Sequence, residues 1–298
     1  MISILIPTYD YNTLPLVDEL YRQVVLENIE FEIIVTDDAS PINENTEINS
    51  KINQLANCRF ERNEINLGRG QNRNVLIQKA KYDWVLLMDC DTFPKHKNFV
   101  KTYIENTKLQ DIKAIFGGII YYDEKPQEDE MLRWVFGKNR EEIPLQKRLS
   151  DPFDSALISN ILVRKEVLIS HPFDSEIFHY GFEDIVFILA LKREGIAINH
   201  IENPAYHLNL EKSAVFLNKY HSSLQNLKFV LDKKIISPND TTLTKVYYTL
   251  AQLHLVTLVA FGFSIFKKAF TKNLLSKNPS LFVFDVYRLG YFCQLNSK

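Results

Sequence analysis

The sequence predicts an α/β fold with a mostly parallel central sheet, helices on the faces of that sheet, and a helical C-terminal extension. Short apolar runs alternate with segments of helical periodicity over roughly the first hundred residues, and apolar helical patterns dominate the chain after about Glu211. This alternation favours parallel strands joined by right-handed crossovers. Polar side chains follow three of the apolar runs, at the edge of the sheet where such folds bind ligands.

The first predicted strand is the β-branched run Ile2–Ile6, which Pro7 ends. The next segment, Leu14 to Leu26, has Leu16, Leu20 and Val24 at helical spacing. The remaining predicted elements of this half are strands over residues 31–35, 58–64 and 84–91 and helices over residues 48–55, 71–79 and 99–106.

Composition excludes several classes of protein. The chain is 46% hydrophobic with a net charge of -2, so no global basic field indicates nucleic acid as a partner. Cys58, Cys90 and Cys293 have no paired spacing, which argues against a disulfide framework or a zinc cluster and favours a reducing compartment. The N-terminus resembles a buried strand more than a signal peptide, so we expect a cytoplasmic protein.

Two segments have open interpretations. Residues 122–154 are charged and predicted to be a loop-rich insertion, either a solvated linker or a lid over a ligand. The apolar run Leu250–Phe266 contains Gln252 and His254 and is followed by lysines. A buried helix is the favoured interpretation, and a helix lying at the inner membrane surface, as a peripheral membrane contact, is the alternative.

The pair Asp89 and Asp91 follows an almost continuous apolar strand. The strand period of two predicts both carboxylates on one side, where they repel each other unless a cation lies between them. A divalent metal that accompanies a diphosphate would neutralise them, and oxygen ligands suit Mg or Mn.

Glu183 and Asp184 open a predicted amphipathic helix. Capping of the helix N-terminus explains such acids, and a general base that accepts a proton from a hydroxyl is the functional interpretation. The preceding residues 179–182, which begin with His179 and Tyr180, predict a flexible aromatic approach to the helix. His207, after a short strand and a proline turn, is a candidate third metal ligand.

The loop of residues 63–74 has glycines at 68 and 70 that permit close backbone approach. Arg69 and Arg73 offer fork-shaped donors suited to phosphate. The spacing lacks the Gly-Lys-Ser/Thr end of a phosphate loop, so ATP hydrolysis is not supported.

In order along the chain, the segments ISILIPTYD, IIVTDDAS, NLGRGQNRN, LLMDCD, SNILVRKEV and GFEDIVF resemble those of the family 2 glycosyltransferases with the GT-A fold. The likeness covers roughly residues 1–208, and HYGFEDIVF is similar to galactosyltransferase-like and chondroitin-polymerase-like enzymes, which implies inversion. The resemblance implies a catalytic base at Asp184 with Glu183 beside it and a metal site at Asp91, His207 and Asp89. It also implies nucleotide contacts at Pro7, Thr8, Tyr9, Asp37, Asp38, Asn66, Gly68, Arg69, Asn72 and Asp89.

The resemblance therefore implies a GT-A domain over residues 1–210, which binds the nucleotide-sugar and catalyses transfer, and a helical extension over residues 211–298. We expect a metal-dependent transfer, with Mn or Mg, from a nucleotide-sugar, with a UDP-sugar favoured, to a glycan or lipid-linked acceptor hydroxyl in polysaccharide synthesis. Two other functions stay open: an inactive nucleotide-sugar or glycan-binding module, and another metal-dependent nucleotide enzyme such as a nucleotidyltransferase or phosphohydrolase.

Overall fold

The computed structural model describes residues 1–177 and 181–297, which divide into two compact units. The first unit holds residues 1–121, 141–177 and 183–209, and the second holds residues 122–140, 181–182 and 210–297. The division near residue 210 lies where the helical extension is predicted to begin. Residues 122–140 lie in the second unit, whereas the predicted division assigned them to the first.

The strands all belong to the first unit. In chain order they are β1 (Ile2–Thr8), β2 (Phe31–Asp37), β3 (Cys58–Arg62), β4 (Trp84–Met88), β5 (Thr92–Pro94), β6 (Ala114–Phe116), β7 (Ile119–Ile120), β8 (Asn160–Arg164), β9 (Ile198–His200) and β10 (Ala205–His207). The central sheet has the order β3-β2-β1-β4-β8-β6-β9, and a small second sheet has the order β5-β10-β7. Side chains of β1, β2 and β4 are buried almost throughout, as expected for strands covered on both faces.

The helices connect these strands and form the C-terminal third. In chain order they are α1 (Leu14–Leu26), α2 (Glu44–Ser50), α3 (Arg69–Lys79), α4 (Phe99–Asn106), α5 (Met131–Arg140), α6 (Leu145–Ser150), α7 (Lys165–Ser170), α8 (Glu183–Arg193), α9 (Ser213–Asp232), α10 (Thr242–Gln252), α11 (Val256–Leu274) and α12 (Leu281–Asn296). Helix α5 and helices α9 to α12 lie in the second unit. The predicted helix over residues 48–55 is instead α2 followed by a 3-10 turn, because Asn43 caps α2 by accepting a bond from the Thr46 N–H.

The predicted mostly parallel sheet is confirmed. Strand β2 pairs in parallel with both β3 and β1, and β1 pairs in parallel with β4. Strand β6 is parallel to β9. Strand β8 runs antiparallel to both of its neighbours, β4 and β6. The carboxyl ends of β1, β2 and β4 therefore meet at one edge of the sheet, where polar residues follow each strand.

The small sheet brings a late segment of the chain to this edge. Strand β10 pairs antiparallel with β5, with His207 opposite Thr92. The backbone N–H of Leu208 donates to the carbonyl oxygen of Asp91 at 2.8 Å. This register places His207 beside the turn that follows β4, although more than a hundred residues separate the two segments.

Asn160, at the start of β8, is a fully buried polar hub. Its Nδ2 donates to the carbonyl oxygens of Gly118 (2.8 Å) and Asn203 (3.0 Å), and the Tyr103 hydroxyl donates to its Oδ1 at 2.7 Å. Gly117 lies against the same group, where a Cβ would come within 2.3 Å of the Asn203 carbonyl oxygen. These bonds hold the segments that lead into β7 and β10 against the central sheet.

The prediction of a loop-rich insertion over residues 122–154 is wrong. The segment contains a 3-10 turn at Glu128–Glu130 and the helices α5 and α6. The apolar side chains Leu132 and Phe136 lie one turn apart on α5 and pack into the core of the second unit. The charged residues of the segment are spread over its turns, its 3-10 turn and both helices, and two of them, Arg133 and Arg148, are buried.

The second unit has its own apolar core, formed by facing side chains of its helices. Its buried members are Leu132, Phe216, Leu217, Phe263, Leu274, Phe284 and Tyr287. Phe216 and Phe284 stack with their ring centroids 5.9 Å apart, and Phe263 meets Tyr287 edge-on at 5.1 Å. The predicted helical extension is thus a separate packed unit that also recruits α5.

We expect Asn160→Ala to lower the free energy of unfolding of the first unit by about 3 kcal/mol, because three buried hydrogen bonds of the side chain, to Gly118, Asn203 and Tyr103, are lost. The chain has two tryptophans, so in a Trp134→Phe background the buried Trp84 of β4 reports urea unfolding of the first unit. The control is Gln110→Ala, which removes a polar side chain from an exposed position. Equal urea midpoints for the two variants would show that the hub contributes little.

Candidate active site

Asp38, which directly follows β2, organises the loop that precedes α3. Its Oδ1 and Oδ2 accept hydrogen bonds from the backbone N–H groups of Leu67 (2.8 Å) and Gly68 (2.9 Å), and Asn63 donates to Oδ1 at 3.0 Å. Gly68 has a φ of 79°, which a residue without a Cβ adopts readily. Because only 4% of Asp38 is exposed, its observed role is to shape the loop, and its contact with a nucleotide base stays a prediction.

Asp37, the last residue of β2, is also engaged by protein groups. Nε of Arg62 donates to its Oδ2 at 2.8 Å, and the Ser40 hydroxyl donates to its Oδ1. Asp37 is 3% exposed. These contacts assign Asp37 to the support of the strand end.

The two asparagines predicted to approach the nucleotide occupy different environments. Asn66 is exposed on the loop, where its Nδ2 donates to the carbonyl oxygen of Asp38 at 3.0 Å and its Oδ1 accepts from the Gly68 N–H at 3.1 Å. Asn72 is buried in α3 and donates to the carbonyl oxygen of Thr36 at 3.0 Å. The structure therefore favours Asn66 for a ligand contact, whereas Asn72 fixes α3 to β2.

The predicted nucleotide contacts at the end of β1 also differ in their exposure. Thr8 is buried and accepts a hydrogen bond from the Thr13 hydroxyl at 3.0 Å, while its carbonyl oxygen accepts from the Asp38 N–H at 2.9 Å. Pro7 is partly buried, and Tyr9 is 53% exposed. Among these three predicted contacts, Tyr9 presents the largest surface to a ligand.

Asp89 lies in the turn after β4, and each of its carboxylate oxygens pairs with an arginine of α3. Arg73 Nη2 lies 2.8 Å from Oδ1, and Arg69 Nη2 lies 2.9 Å from Oδ2. Burial opposes ionisation of this carboxyl, but Arg73 and Arg69 outweigh it and lower the pKa of Asp89 to about 2. The negative charge of Asp89 is therefore compensated by the two arginines, and its carboxylate fixes α3 to the turn after β4.

Arg73 connects this turn to helix α8. Its side chain is 1% exposed, its Nη1 donates to Oδ1 of Asp184 at 2.6 Å, and its guanidinium lies over the Phe173 ring at 5.4 Å. The prediction that Arg73 offers its fork to phosphate is not supported, because Asp89 and Asp184 already occupy the fork. Arg69, with 41% of its side chain exposed, remains accessible to a phosphate.

Glu183 is the first residue of α8 and is 4% exposed. Its Oε1 lies 3.8 Å from Arg69 Nε and 3.9 Å from Arg73 Nη1, and its Oε2 is buried without a hydrogen-bond partner among residues 1–177 and 181–297. Burial, and then the adjacent Asp184, raise the pKa of Glu183. Glu183 thus differs from Asp184, whose side chain is 29% exposed. The predicted aromatic approach at His179 and Tyr180 lies outside the described residues.

Asp91 and His207 approach each other across the β5–β10 pairing. His207 Nε2 lies 3.7 Å from Asp91 Oδ2, and the His207 ring stacks on Tyr121 at a centroid distance of 5.4 Å. Asp89 and Asp91 belong to a turn, so the expectation that the strand period aligns them is wrong. The Thr92 N–H and hydroxyl both bond the Asp89 carbonyl oxygen, which closes that turn and lets the two carboxylates face different partners.

The pair formed by Asp91 and His207 fits one divalent cation. The 3.7 Å separation exceeds a hydrogen bond, yet both atoms can lie at about 2.1 Å from a common ion. The three predicted ligands do not assemble as a set, since no group of three metal-binding side chains occurs among the described residues. Such a two-ligand site suits a cation that also binds substrate phosphates and water.

Three contacting residues were missed by the sequence reasoning. Arg73 was seen only as a phosphate donor, and Tyr121 and Tyr11 were not considered. Burial, followed by the charges of Asp91 and Cys90, raises the pKa of Tyr11 to about 12. The internal position of Arg73 on the buried face of an amphipathic helix is a signal that it needs carboxylate partners, but no sequence pattern indicated which ones.

The sequence profile of glycosyl transferase family 2 matches residues 3–170, more than half of the chain. The chain belongs to glycosyl transferase family 2. Among curated relatives, it is 26% identical over 242 residues to a chondroitin synthase of Escherichia coli, covering 69% of this chain and 34% of that protein. It is 30% identical over 208 residues to a hyaluronan synthase of Pasteurella multocida, covering 59% of this chain and 21% of that protein. The chain thus spans about a third of the length of the first relative and about a fifth of the second.

Solved structures agree on the fold. The chain matches S. aureus TarS 1-349 in complex with UDP with a TM-score of 0.51 and 17% identity, covering 100% of this chain and 92% of that one. It matches the mannosyltransferase PcManGT from Pyrobaculum calidifontis, in complex with GDP-Man and Mn2+, with a TM-score of 0.56 and 12% identity, covering 99% and 86%. The GT-A fold expected for this family 2 member is confirmed.

We expect Arg73→Met to lower the free energy of unfolding of the first unit by about 3–5 kcal/mol, because it removes the cation between Asp184 and Asp89 and leaves Asp89 with Arg69 alone. The control is Arg22→Met, which removes the same group from an exposed pair with Glu19 and should stay close to wild type. Urea unfolding followed by Trp84 fluorescence, again in the Trp134→Phe background, measures both. Equal losses for the two variants would contradict the buried bridge.

Proposed function

We propose that this family 2 member is a glycosyltransferase that moves a sugar from a UDP-sugar to an acceptor hydroxyl with a divalent cation and with inversion. One observation carries the proposal: Asp89, Asp91, Asp184 and His207, from three distant segments, converge at the carboxyl edge of the central sheet. Ligands bind at this edge in open α/β sheets. An alternative in which these acids only cap helices does not explain that convergence.

The nucleotide part of the donor is proposed from the loop and from the neighbours. Asn66, the backbone around Gly68 and the exposed Arg69 lie together before α3, where N–H groups and a guanidinium can contact phosphates. Of two neighbours with this fold, one structure contains UDP and the other GDP-Man with Mn2+. We propose UDP, because the resemblance to the family implies that Asp38, with Asp37 beside it, contacts uracil.

Asp91 and His207 are the residues that would hold the cation, which supplies charge stabilisation to a departing diphosphate when bound. Arg69 can add positive charge on the same side, since it is exposed while it contacts Asp89. Asp89 is already neutralised by two guanidinium groups, so in this proposal it positions α3 and contacts the ribose. Exclusion of water from the polar edge would strengthen all of these interactions.

We assign the proton transfer to Asp184. Its Oδ1 is held by Arg73 at 2.6 Å, which orients the carboxylate before an acceptor arrives, and its partial exposure lets a hydroxyl reach it. Glu183, which burial holds toward its neutral form, can donate a hydrogen bond to a sugar or acceptor hydroxyl. Direct attack on the face opposite the leaving diphosphate inverts the anomeric centre.

The acceptor proposed is a growing polysaccharide or a lipid-linked glycan. The curated relatives are a chondroitin synthase and a hyaluronan synthase, which supports a role in polysaccharide synthesis. We place the reaction in the cytoplasm, at the inner face of the membrane, because Cys58, Cys90 and Cys293 are free thiols, as in a reducing compartment.

We expect Mn to strengthen binding of UDP at least tenfold in calorimetry of the wild-type chain, and Asp91→Ala to reduce that enhancement to near unity, because one of two cation ligands is lost. Asp83→Ala, which removes an exposed acid at the opposite end of β4 from Asp89 and Asp91, is the control. An unchanged enhancement in Asp91→Ala would remove Asp91 from the cation site. A wild-type chain that binds UDP equally well without Mn would overturn metal dependence and leave the transferase proposal standing.

We expect Asp184→Asn to lower the transfer rate by about 10²–10⁴-fold, or about 3–5 kcal/mol in barrier, while UDP affinity stays within about twofold. The measurement is release of UDP from a panel of UDP-sugars with oligosaccharide acceptors, with Asp83→Asn as control and proton NMR of the product to read the anomeric configuration. Near-full transfer by Asp184→Asn would contradict the assigned base. Release of sugar-1-phosphate instead of UDP would indicate a nucleotidyltransferase or phosphohydrolase, and UDP-sugar binding without release would indicate a binding module.

A further inference from the structure

Helix α11 has two apolar faces, and only one of them is packed. Phe263 and Ala260 are buried, and Phe263 lies so close to α12 that a Cβ at Gly290 would come within 2.6 Å of its ring. On the opposite side of α11, Leu258, Phe261 and Ile265 are 64%, 64% and 59% exposed. The prediction of a buried helix at Leu250–Phe266 is therefore correct for one face only.

The exposed face, defined here by Leu258, Phe261, Ile265, Lys268 and Lys272, forms one stripe along α11 at spacings of three and four residues. The apolar members occupy its first turns and the lysines its last turns. A patch of large apolar side chains of this kind marks an interaction site in a soluble unit.

The apolar surface continues at the corner where α10 meets α11. The two helices are bent by 116° at a break of residues 253–255, where Leu253 is 60% exposed and Leu255 is 36% exposed. Phe266 adds a further exposed ring at 56%. The sequence run that suggested a single apolar helix is thus a bent corner that presents its apolar side chains outward.

The charged residues within this segment of the chain all have one sign. Residues 241–284 contain the five lysines Lys245, Lys267, Lys268, Lys272 and Lys277 and no acidic residue, in a chain whose net charge is -2. Within residues 1–177 and 181–297, no ion pair joins any of these lysines to a carboxylate. The surface therefore combines apolar area with uncompensated positive charge.

No single helix in the described part of the chain is long and apolar enough to cross a bilayer. Only the bent pair α10 and α11, counted together, has the length and apolar composition of a membrane span. A bend of 116° instead suits helices that lie along an interface. A second copy of the chain would bring two lysine-rich surfaces together, which charge repulsion disfavours.

We propose that the α10–α11 corner binds the surface of an anionic lipid bilayer. Leu253, Leu258, Phe261, Ile265 and Phe266 enter the boundary between headgroups and acyl chains, while Lys268 and Lys272 contact lipid phosphates. Apolar burial and electrostatic attraction act together in this mode, as in interfacial amphipathic helices. The inference does not rest on glycosyl transfer, because it uses only the second unit.

The test is flotation of the full chain with vesicles of phosphatidylcholine that contain or lack phosphatidylglycerol, without donor or metal. We expect binding to the anionic vesicles only. Lys268→Gln with Lys272→Gln should weaken it by about fivefold for each lysine removed, and added salt should weaken wild-type binding. Leu258→Ser with Phe261→Ser and Ile265→Ser should weaken it at least about tenfold.

The matched control is Leu26→Ser with Leu109→Ser and Ile169→Ser, which removes three exposed apolar side chains of the first unit and should bind as the wild type does. Circular dichroism and thermal denaturation verify that each variant is folded. Equal binding by both triple variants, equal binding to neutral vesicles, or resistance of the bound protein to carbonate extraction would overturn the proposal. A different result would also overturn the proposal: the wild-type chain is a dimer without lipid in light scattering, the α11 triple variant is a monomer, and the wild-type dimer does not bind vesicles.

Discussion

The guanidinium of Arg73 is the interaction on which the active-site arrangement depends. A buried arginine is unfavourable unless carboxylates surround it, and here Asp89 and Asp184 do so from segments 16 and 111 residues away. The pair of bonds ties the turn after β4 and the first turn of α8 to the same helix, α3. Asp184 therefore has its orientation before any ligand binds, and a change that displaces α3 would displace the proposed base as well.

The pairing of β5 with β10 positions the two residues of the proposed cation site. A single register determines that His207 lies opposite Thr92, adjacent to Asp91. A slip of one residue would turn the imidazole to the other face of this small sheet. The Asn160 hub holds the segments before β7 and β10 through their carbonyl oxygens, so buried polar groups outside the site help to position the strand that carries His207.

Sequence reasoning predicted the elements of the first hundred residues well because their signals are local. Ile2–Ile6, Leu14–Leu26 and Phe99–Asn106 reveal themselves by periodicity and by the residues that end them. It failed where tertiary packing decides. The many charges of residues 122–154 predict irregular structure, whereas a few apolar side chains, Leu132 and Phe136 among them, hold α5 in the second core. The apolar run Leu250–Phe266 predicts one helix, because the break near His254 contains neither proline nor glycine. The partners of Arg73 cannot be predicted from the sequence, because a salt bridge between distant segments leaves no local pattern.

The Asp-x-Asp motif shows how two identical side chains acquire different surroundings. Asp89 faces two guanidinium groups that lower its pKa to about 2, so its charge is already compensated inside the protein. A cation placed on that carboxylate would meet repulsion from Arg69 and Arg73. Asp91 turns the other way, toward an imidazole that is a neutral metal ligand when unprotonated. The closed turn at Thr92 separates the two environments, which leaves Asp91 as the acid of the motif whose charge a divalent cation can balance.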